Sequence, residues 1–196
     1  MYLPKQFEET RAPVLHGFIR QRSFGTLVAL TSDGLSVDHL PFLLDGNHGA
    51  LGVVRGHVAR ANPIVKAALA DVDAVVIFNG PDHYITPSWY ATKQKTGRVV
   101  PTWNYVVVHA YGRPRFIDDE QWLRQHVEQA TQHHESGRDN PWQVSDAPDD
   151  YVSKLIGNIV GVEIPISRLS GKWKLGQNRP DADRQGMVDG LLEDNG

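Results

Sequence analysis

Four stretches of this sequence gather residue types that can hold a ligand. The first is Arg55-Gly56-His57-Val58-Ala59-Arg60-Ala61-Asn62-Pro63. It joins a strand pattern to Asn-Pro, a helix-start signal with Asn as cap and Pro in the first turn. Free N–H groups and the helix dipole at such a start favour an anion. Arg55, His57 and Arg60 add donors, and Gly56 permits close approach. The same residues also suit an ordinary strand-to-helix connection with exposed arginines. The second stretch is His39-Leu40-Pro41-Phe42. Proline within a strand pattern marks an edge or a bulge, and a bulge frees backbone groups to meet a ligand. The alternative is an edge strand with an exposed histidine.

The third stretch is rich in aromatics: Tyr84, Trp89, Tyr90, Trp103, Tyr105 and Tyr111. The turns Thr86-Pro87-Ser88-Trp89-Tyr90 and Pro101-Thr102-Trp103-Asn104-Tyr105 pair aromatics with hydrogen-bonding neighbours such as Ser88 and Asn104. Such walls suit a flat heteroaromatic ring, and they equally suit a core or a subunit interface. Between the turns lies the most basic run, Lys93-Gln94-Lys95-Thr96-Gly97-Arg98, which reads as a phosphate or nucleic-acid contact or as a solvated loop. The fourth stretch is Gly171-Lys172-Trp173-Lys174-Leu175-Gly176-Gln177-Asn178. Lys172, Lys174 and Gln177 are candidate ligand contacts here, or else a tail that lays its lysine stems over apolar surface.

Other chemistries lack their signatures. The chain has no cysteine, so disulfides, thiolate catalysis and cysteine-held metals are excluded. There is no G-x-G-x-x-G, no Walker loop and no G-x-S-x-G elbow. His126, His133 and His134 share one helical face without the carboxylate-flanked spacing of zinc helices, so no metal site is expected. His109 stands among valines and reads as a core or interface histidine. A net charge of −3 and the lack of a helix-turn-helix pattern argue against the fold as a whole being a tight duplex binder.

The elements that must position these residues follow from periodicity and turn chemistry. A helix is expected after Thr10, with Pro13 in its first turn. Strands are expected at Gly25 to Ser32, Ser36 to Leu44, His48 to Arg55 and Asp73 to Phe78, the last ended by Gly80-Pro81. A helix from Asn62 to about Leu69 separates the last two. Trp103 to Ile117 reads as one long strand or a pair bent at Gly112 and Pro114. Asp118, with Gln121 three residues on, caps a helix running to about Glu135. A short helix at Tyr151 to Ile156 and a strand at Gly157 to Leu169 follow. Helices interrupt adjacent strands irregularly, so the fold class is mixed α/β (α+β), an antiparallel barrel with helices packed outside. The 196 residues suit one main domain, 1–170, and a C-terminal tail, 171–196, with a short helix from Ala182 to Leu192. No signal peptide and no apolar run of membrane-spanning length is seen, so a cytoplasmic location is expected.

Together these segments resemble the PaiB-like family of FMN-binding negative transcriptional regulators. The resemblance rests on Met1-Tyr2-Leu3-Pro4-Lys5 with Phe7-Glu8, Asp38 to Phe42, Gly56 to Pro63, Gly80-Pro81 with Tyr84-Ile85, and Pro87 to Tyr90. Val100 to Tyr105 with His109, and Gly171 to Lys174 with Gln177-Asn178, complete it. Gly176 departs from it where a serine-like residue is expected. The resemblance implies a split barrel of the FMN-binding type, a homodimer with flavin sites near the subunit interface, and a flavin phosphate near Arg60 and Asn62. A lysine of the Lys172-Lys174 pair beside the ring would stabilise its reduced, anionic form. The expected contacts are His39, Pro41, Arg55, Gly56, His57, Arg60, Asn62, Ser88, Trp103, Asn104, Lys172, Lys174 and Gln177. Lys93, Lys95 and Arg98 would meet DNA or a partner regulator. Two alternatives stay open: an FMN-dependent oxidoreductase using NAD(P)H, and a haem-binding split barrel using His39, His57 or His109.

Overall fold

Alternating apolar and polar side chains build two antiparallel sheets that share one core. The computed structural model describes residues 1–194. The chain order is β1 (Glu8–Glu9), α1 (Ala12–Gln21), β2 (Phe24–Thr31), β3 (Gly34–Pro41), β4 (Leu43–Asp45), β5 (Val53–Ala59), α2 (Ile64–Ala67) and β6 (Ala74–Ile85). It continues with α3 (Ala91–Thr96), β7 (Thr102–Gly112), β8 (Arg115–Ile117), α4 (Glu120–Glu135), α5 (Asp149–Ile156), β9 (Ile159–Pro165), β10 (Arg168–Lys174) and α6 (Asp181–Asp194). One sheet has the order β1-β10-β7-β6-β2-β3 and the other β4-β5-β9-β8. This is the mixed α/β split barrel expected from the sequence.

The chain crosses between the sheets four times, once through α2 from β5 to β6 and otherwise at three corners. Phe42 breaks β3 from β4 and donates its N–H to the Ser23 carbonyl at 2.8 Å. Gly112 to Pro114 turns β7 into β8, as the bend residues predict. Gly112 is required there, because a Cβ would lie 2.1 Å from the Pro165 carbonyl oxygen. At the third corner, Ile166 and Ser167 turn β9 into β10. The inward faces supply Leu27, Phe42, Val54, Val76, Phe78, Val108, Val162 and Ile164, all essentially excluded from solvent. Each such side chain contributes roughly 1.5–3 kcal/mol by leaving water.

Several boundaries depart from expectation for local reasons. Strand β6 does not end at Gly80-Pro81; the pair forms a bulge, and the ladder to β7 resumes at Asp82. Proline is tolerated there because a bulge leaves its position unpaired. The final strand is two strands, and the second, β10, reaches Lys174 between β1 and β7. Its polar residues resemble a tail only because one face is open. Helix α2 is a single turn. Helix α1 starts from Arg11 with Pro13 in its first turn, and Thr10 lies before the cap. Helix α4 is capped by Asp119, whose carboxylate accepts the Trp122 N–H at 2.7 Å, and Asp118 pairs with Arg60 instead. Among the described residues, no helix is long and apolar enough to cross a membrane.

Candidate functional site

Residues directly opposite in an antiparallel ladder share a face. The register of the six-stranded sheet therefore fixes what its outward surface displays. One row crosses β3, β2, β6, β7 and β10 as His39, Thr26, Ile77, His109 and Ser170. On one side lies a row of Val37, Val28, Val75, Tyr111 and Arg168. On the other come Asn79, Val107 and Lys172, then Asp82, Tyr105 and Lys174, then Tyr84 opposite Trp103. The Gly80-Pro81 bulge lets both Asn79 and Asp82 face outward.

These rows form a cavity of about 410 Å³ lined by Ile77, Asn79, Asp82, Trp103, Tyr105, Val107 and His109, with Met1 beside them. The Trp103 indole N–H donates to the Asp82 carboxylate at 2.9 Å, which fixes the ring. Burial lowers the His109 pKa, and the N-terminal ammonium and Arg168 push the same way. His109 is therefore a neutral imidazole at physiological pH, 3.2 Å from the Tyr111 hydroxyl.

Lys172 is the most telling residue of this face. It is 7% exposed, and its ammonium donates to the Tyr2 carbonyl at 3.0 Å. It stands 5.2 Å from the Tyr105 ring centre and 5.8 Å from that of Tyr2. Among the described residues no carboxylate lies within ion-pair distance of it. A buried cation held only by a carbonyl and two π faces attracts an anionic or electron-rich group. Lys174 donates to the Thr102 hydroxyl at 2.5 Å and the Trp103 carbonyl at 2.7 Å.

A flavin mononucleotide needs a flat wall, a few fixed polar groups and cations. This face offers aromatic and apolar walls, Asn79 and Asp82, and Lys172, while Lys174 turns its ammonium to Thr102. The cavity volume also falls within the range of small-molecule sites. The residues present fit the group.

The other sequence-predicted contacts fall into separate places. His39 lies on the same outward face, bonded to Thr26 at 3.0 Å, and Pro41 ends the same edge strand. Asn62 donates to Asp38 at 2.6 Å and accepts the Ile64 N–H at 3.0 Å. The amides of Val65, Lys66 and Ala67 are also satisfied within the chain. The anion-ready helix start expected here is thus a single turn whose N–H groups have internal partners. Arg60 holds Asp118 and the carbonyls of Gly157 and Ile159. Arg55 lies between Glu163 at 2.9 Å and Asp45 at 3.3 Å.

His57 faces α4, where its Nδ1 lies 3.2 Å from His126 Nε2. Burial lowers both pKa values, that of His126 to about 4, with the charges of His57 and Arg55 adding to the effect. Trp122 stacks on the His126 ring at 5.2 Å. Gly56 is buried in β5, with the Pro41 carbonyl next to it. Ser88 accepts from Lys93 at 3.1 Å on the surface. Gln177 donates to the Trp173 carbonyl and accepts the Leu175 N–H, which shapes the turn after β10. Asn104 points inward, behind the cavity. Residue type points to Tyr105 as a candidate ring wall but not to Asn79, Asp82 or the N-terminal residues Met1 and Tyr2. The register brings Asn79 and Asp82 to the Lys172 face, and the N-terminal segment reaches it through the Tyr2 carbonyl.

Comparison with known proteins gives a consistent picture. A family model described as "Putative FMN-binding domain" matches residues 1–168. Protein AN0679 of Emericella nidulans is 37% identical, covering 97% of this chain and 90% of that protein. "Protease synthase and sporulation protein PAI 2" of Bacillus subtilis is 31% identical, covering 97% and 89%. Among solved structures, the flavocytochrome Anf3 of Azotobacter vinelandii superposes with a TM-score of 0.66 at 15% identity, covering 94% of this chain and 78% of that one. The "FAD and Heme binding protein" of Mycobacterium smegmatis superposes at 0.63 with 13% identity, covering 93% and 80%. At such identities the likeness establishes the shared fold.

Proposed function

The chain belongs to the FMN-binding domain family, and on that premise we propose that it binds FMN on the outward face of the six-stranded sheet, at a site shared by two copies. The observation that carries this reading is the cavity beside Trp103 and Tyr105, with the uncompensated Lys172 next to it. Trp103 and Tyr105 would wall the ring, and Lys172 would face its electron-rich edge or the phosphate. When bound, FMN supplies one- and two-electron redox chemistry. The chain's own residues bind and orient it, and the Tyr2 segment keeps water from Lys172.

Two copies are invoked because the same face continues into an open apolar surface. Leu35 is 74% and Val37 54% exposed on β3, beside exposed Phe24 and Leu30. A continuous patch of this kind marks an interaction site. A second copy packed there would bring its own His39-Pro41 edge toward the cavity. Arg55, Arg60 and Asn62 would reach a phosphate only by exchanging their present partners.

The reading extends to a flavin-linked negative regulator working in the cytoplasm. It is supported by the family resemblance and by similarity to the B. subtilis protein named for protease synthesis and sporulation. The test is the absorption spectrum of the purified protein after FMN addition and gel filtration. Retained flavin bands are expected; a colourless protein overturns the reading. Bleaching of the bound flavin by NAD(P)H would favour an oxidoreductase instead. A second reading, haem on the same fold, is favoured by His39 and His109 standing in one outward row. His57 is engaged with His126. A Soret band on haem titration, lost in His109→Ala, would support it, and its absence would reject it.

A further inference from the structure

Behind β7, on the side away from the flavin face, lies a second, smaller cavity of about 60 Å³. Its walls include Tyr90, Asn104, Lys174, Gly176, Asn178 and Arg179. Tyr90 is 1% and Asn104 8% exposed; the Asn104 carbonyl oxygen has no hydrogen-bond partner, and the Tyr90 hydroxyl has none in good geometry, only the Arg179 guanidinium beside it. Buried polar groups are almost always satisfied, so this pair points to an occupant. Two cations share the cavity. Arg179 stacks over the Tyr90 ring at 4.7 Å, and Lys174 retains one N–H beyond its two neutral acceptors. Among the described residues neither forms an ion pair. Asp183, a buried carboxylate near Tyr90, accepts the Thr92 N–H at 2.8 Å and does not wall the cavity.

Water alone would satisfy Tyr90 and Asn104 but would bring no negative charge to the two half-exposed cations. The space is large enough for a tetrahedral oxyanion. We propose that this cavity binds inorganic hydrogen phosphate, at a site separate from the flavin. Its anionic oxygens accept from Lys174, Arg179 and the Tyr90 hydroxyl. Its one P–OH donates to the Asn104 carbonyl oxygen. That last bond favours free phosphate, since a monoester that has lost its second proton has no P–OH left. Helix α6 closes the site from behind, with the Met187 thioether packed on Gly176.

The test is calorimetric titration of the purified protein with sodium phosphate at neutral pH, with ionic strength matched by sodium chloride. Saturable binding is expected, with phosphate raising Tm beyond the chloride control. Tyr90→Phe and Arg179→Gln should each weaken binding about tenfold or more, the loss of one charge-assisted bond. Each variant should retain its FMN bands. If Tyr90→Phe does not fold, Arg179→Gln decides alone. No saturable heat, or unchanged binding in the folded variants, overturns the proposal. Displacement of phosphate by FMN but not by riboflavin also overturns it, because the cavity would then hold the flavin's own phosphate. The titration does not depend on flavin being bound, so it stands whether or not the FMN reading does.

Discussion

Lys172 and His126 are both buried, and their surroundings set opposite consequences. Lys172 has only neutral contacts, so it is available to a ligand. Lys172→Gln should weaken FMN binding about tenfold, read by flavin fluorescence titration, while Tm changes little. Equal affinity would remove Lys172 from the site. His126 is different: its pKa falls from 6.5 to about 4 because burial disfavours the charged ring. The unfolded chain then binds the proton more readily than the folded one. Stability is full above pH 6.5 and is lost as pH falls toward 4. The shift corresponds to a loss on the order of 3 kcal/mol across that window. Denaturant unfolding at neutral pH and at about pH 5 should show much of this loss. His126→Phe should flatten it, and an equal slope in the variant would reject the assignment.

Among the elements, α6 has the most demanding fit. A Cβ at Gly186 would lie 2.0 Å from the Trp89 carbonyl oxygen, and one at Gly190 would meet the Trp89 ring at 2.3 Å. Glycine is unfavourable in a helix by about 1 kcal/mol, so both are kept here for close approach. Gly186→Ala should detach α6 from the Trp89 turn. Limited proteolysis should then cleave between β10 and α6 faster than in the parent, and phosphate binding should fall with it. Unchanged cleavage would show that α6 tolerates the methyl group. Helix α3 is a second case. Its exposed Lys93 and Lys95, with Arg98 just beyond, are the chain's candidate for nucleic acid. If they touch DNA, neutralising all three should reduce both affinity and its salt dependence by about three counterions' worth. An unchanged slope would return the run to a solvated surface.

Among the described residues, the β2–β3 end of the larger sheet's outward face stands without cover. Phe24, Leu30, Leu35 and Val37 are exposed together on β2 and β3, where a monomer would normally carry polar residues. Val37→Asp should convert a dimer to a monomer by light scattering on a sizing column, with little change in Tm. Because the proposed flavin site draws on both copies, the monomer should also lose FMN. A parent that is monomeric from the outset, or a variant that stays dimeric, would place the second copy elsewhere.

The sequence by itself determined the class of fold, the bend at Gly112, the helices α4 and α5, and the aromatic and basic stretches from which a site is drawn, while the break at Phe42 fell inside a strand expected to run from Ser36 to Leu44. Those are local matters: period, turn residue and cap act over a few neighbours. It left open which side chains meet. Lys172, Tyr105 and Asp82 are far apart in the chain and share a face only because β10, β7 and β6 pair in one register. Arg60 and His57 looked available because their partners, Asp118 and His126, lie on a distant corner and helix. Gly80-Pro81 read as a stop because a bulge is legible only once a partner strand is present. Tertiary pairing alone decided these, since long-range contacts carry no local signal until the sheets form.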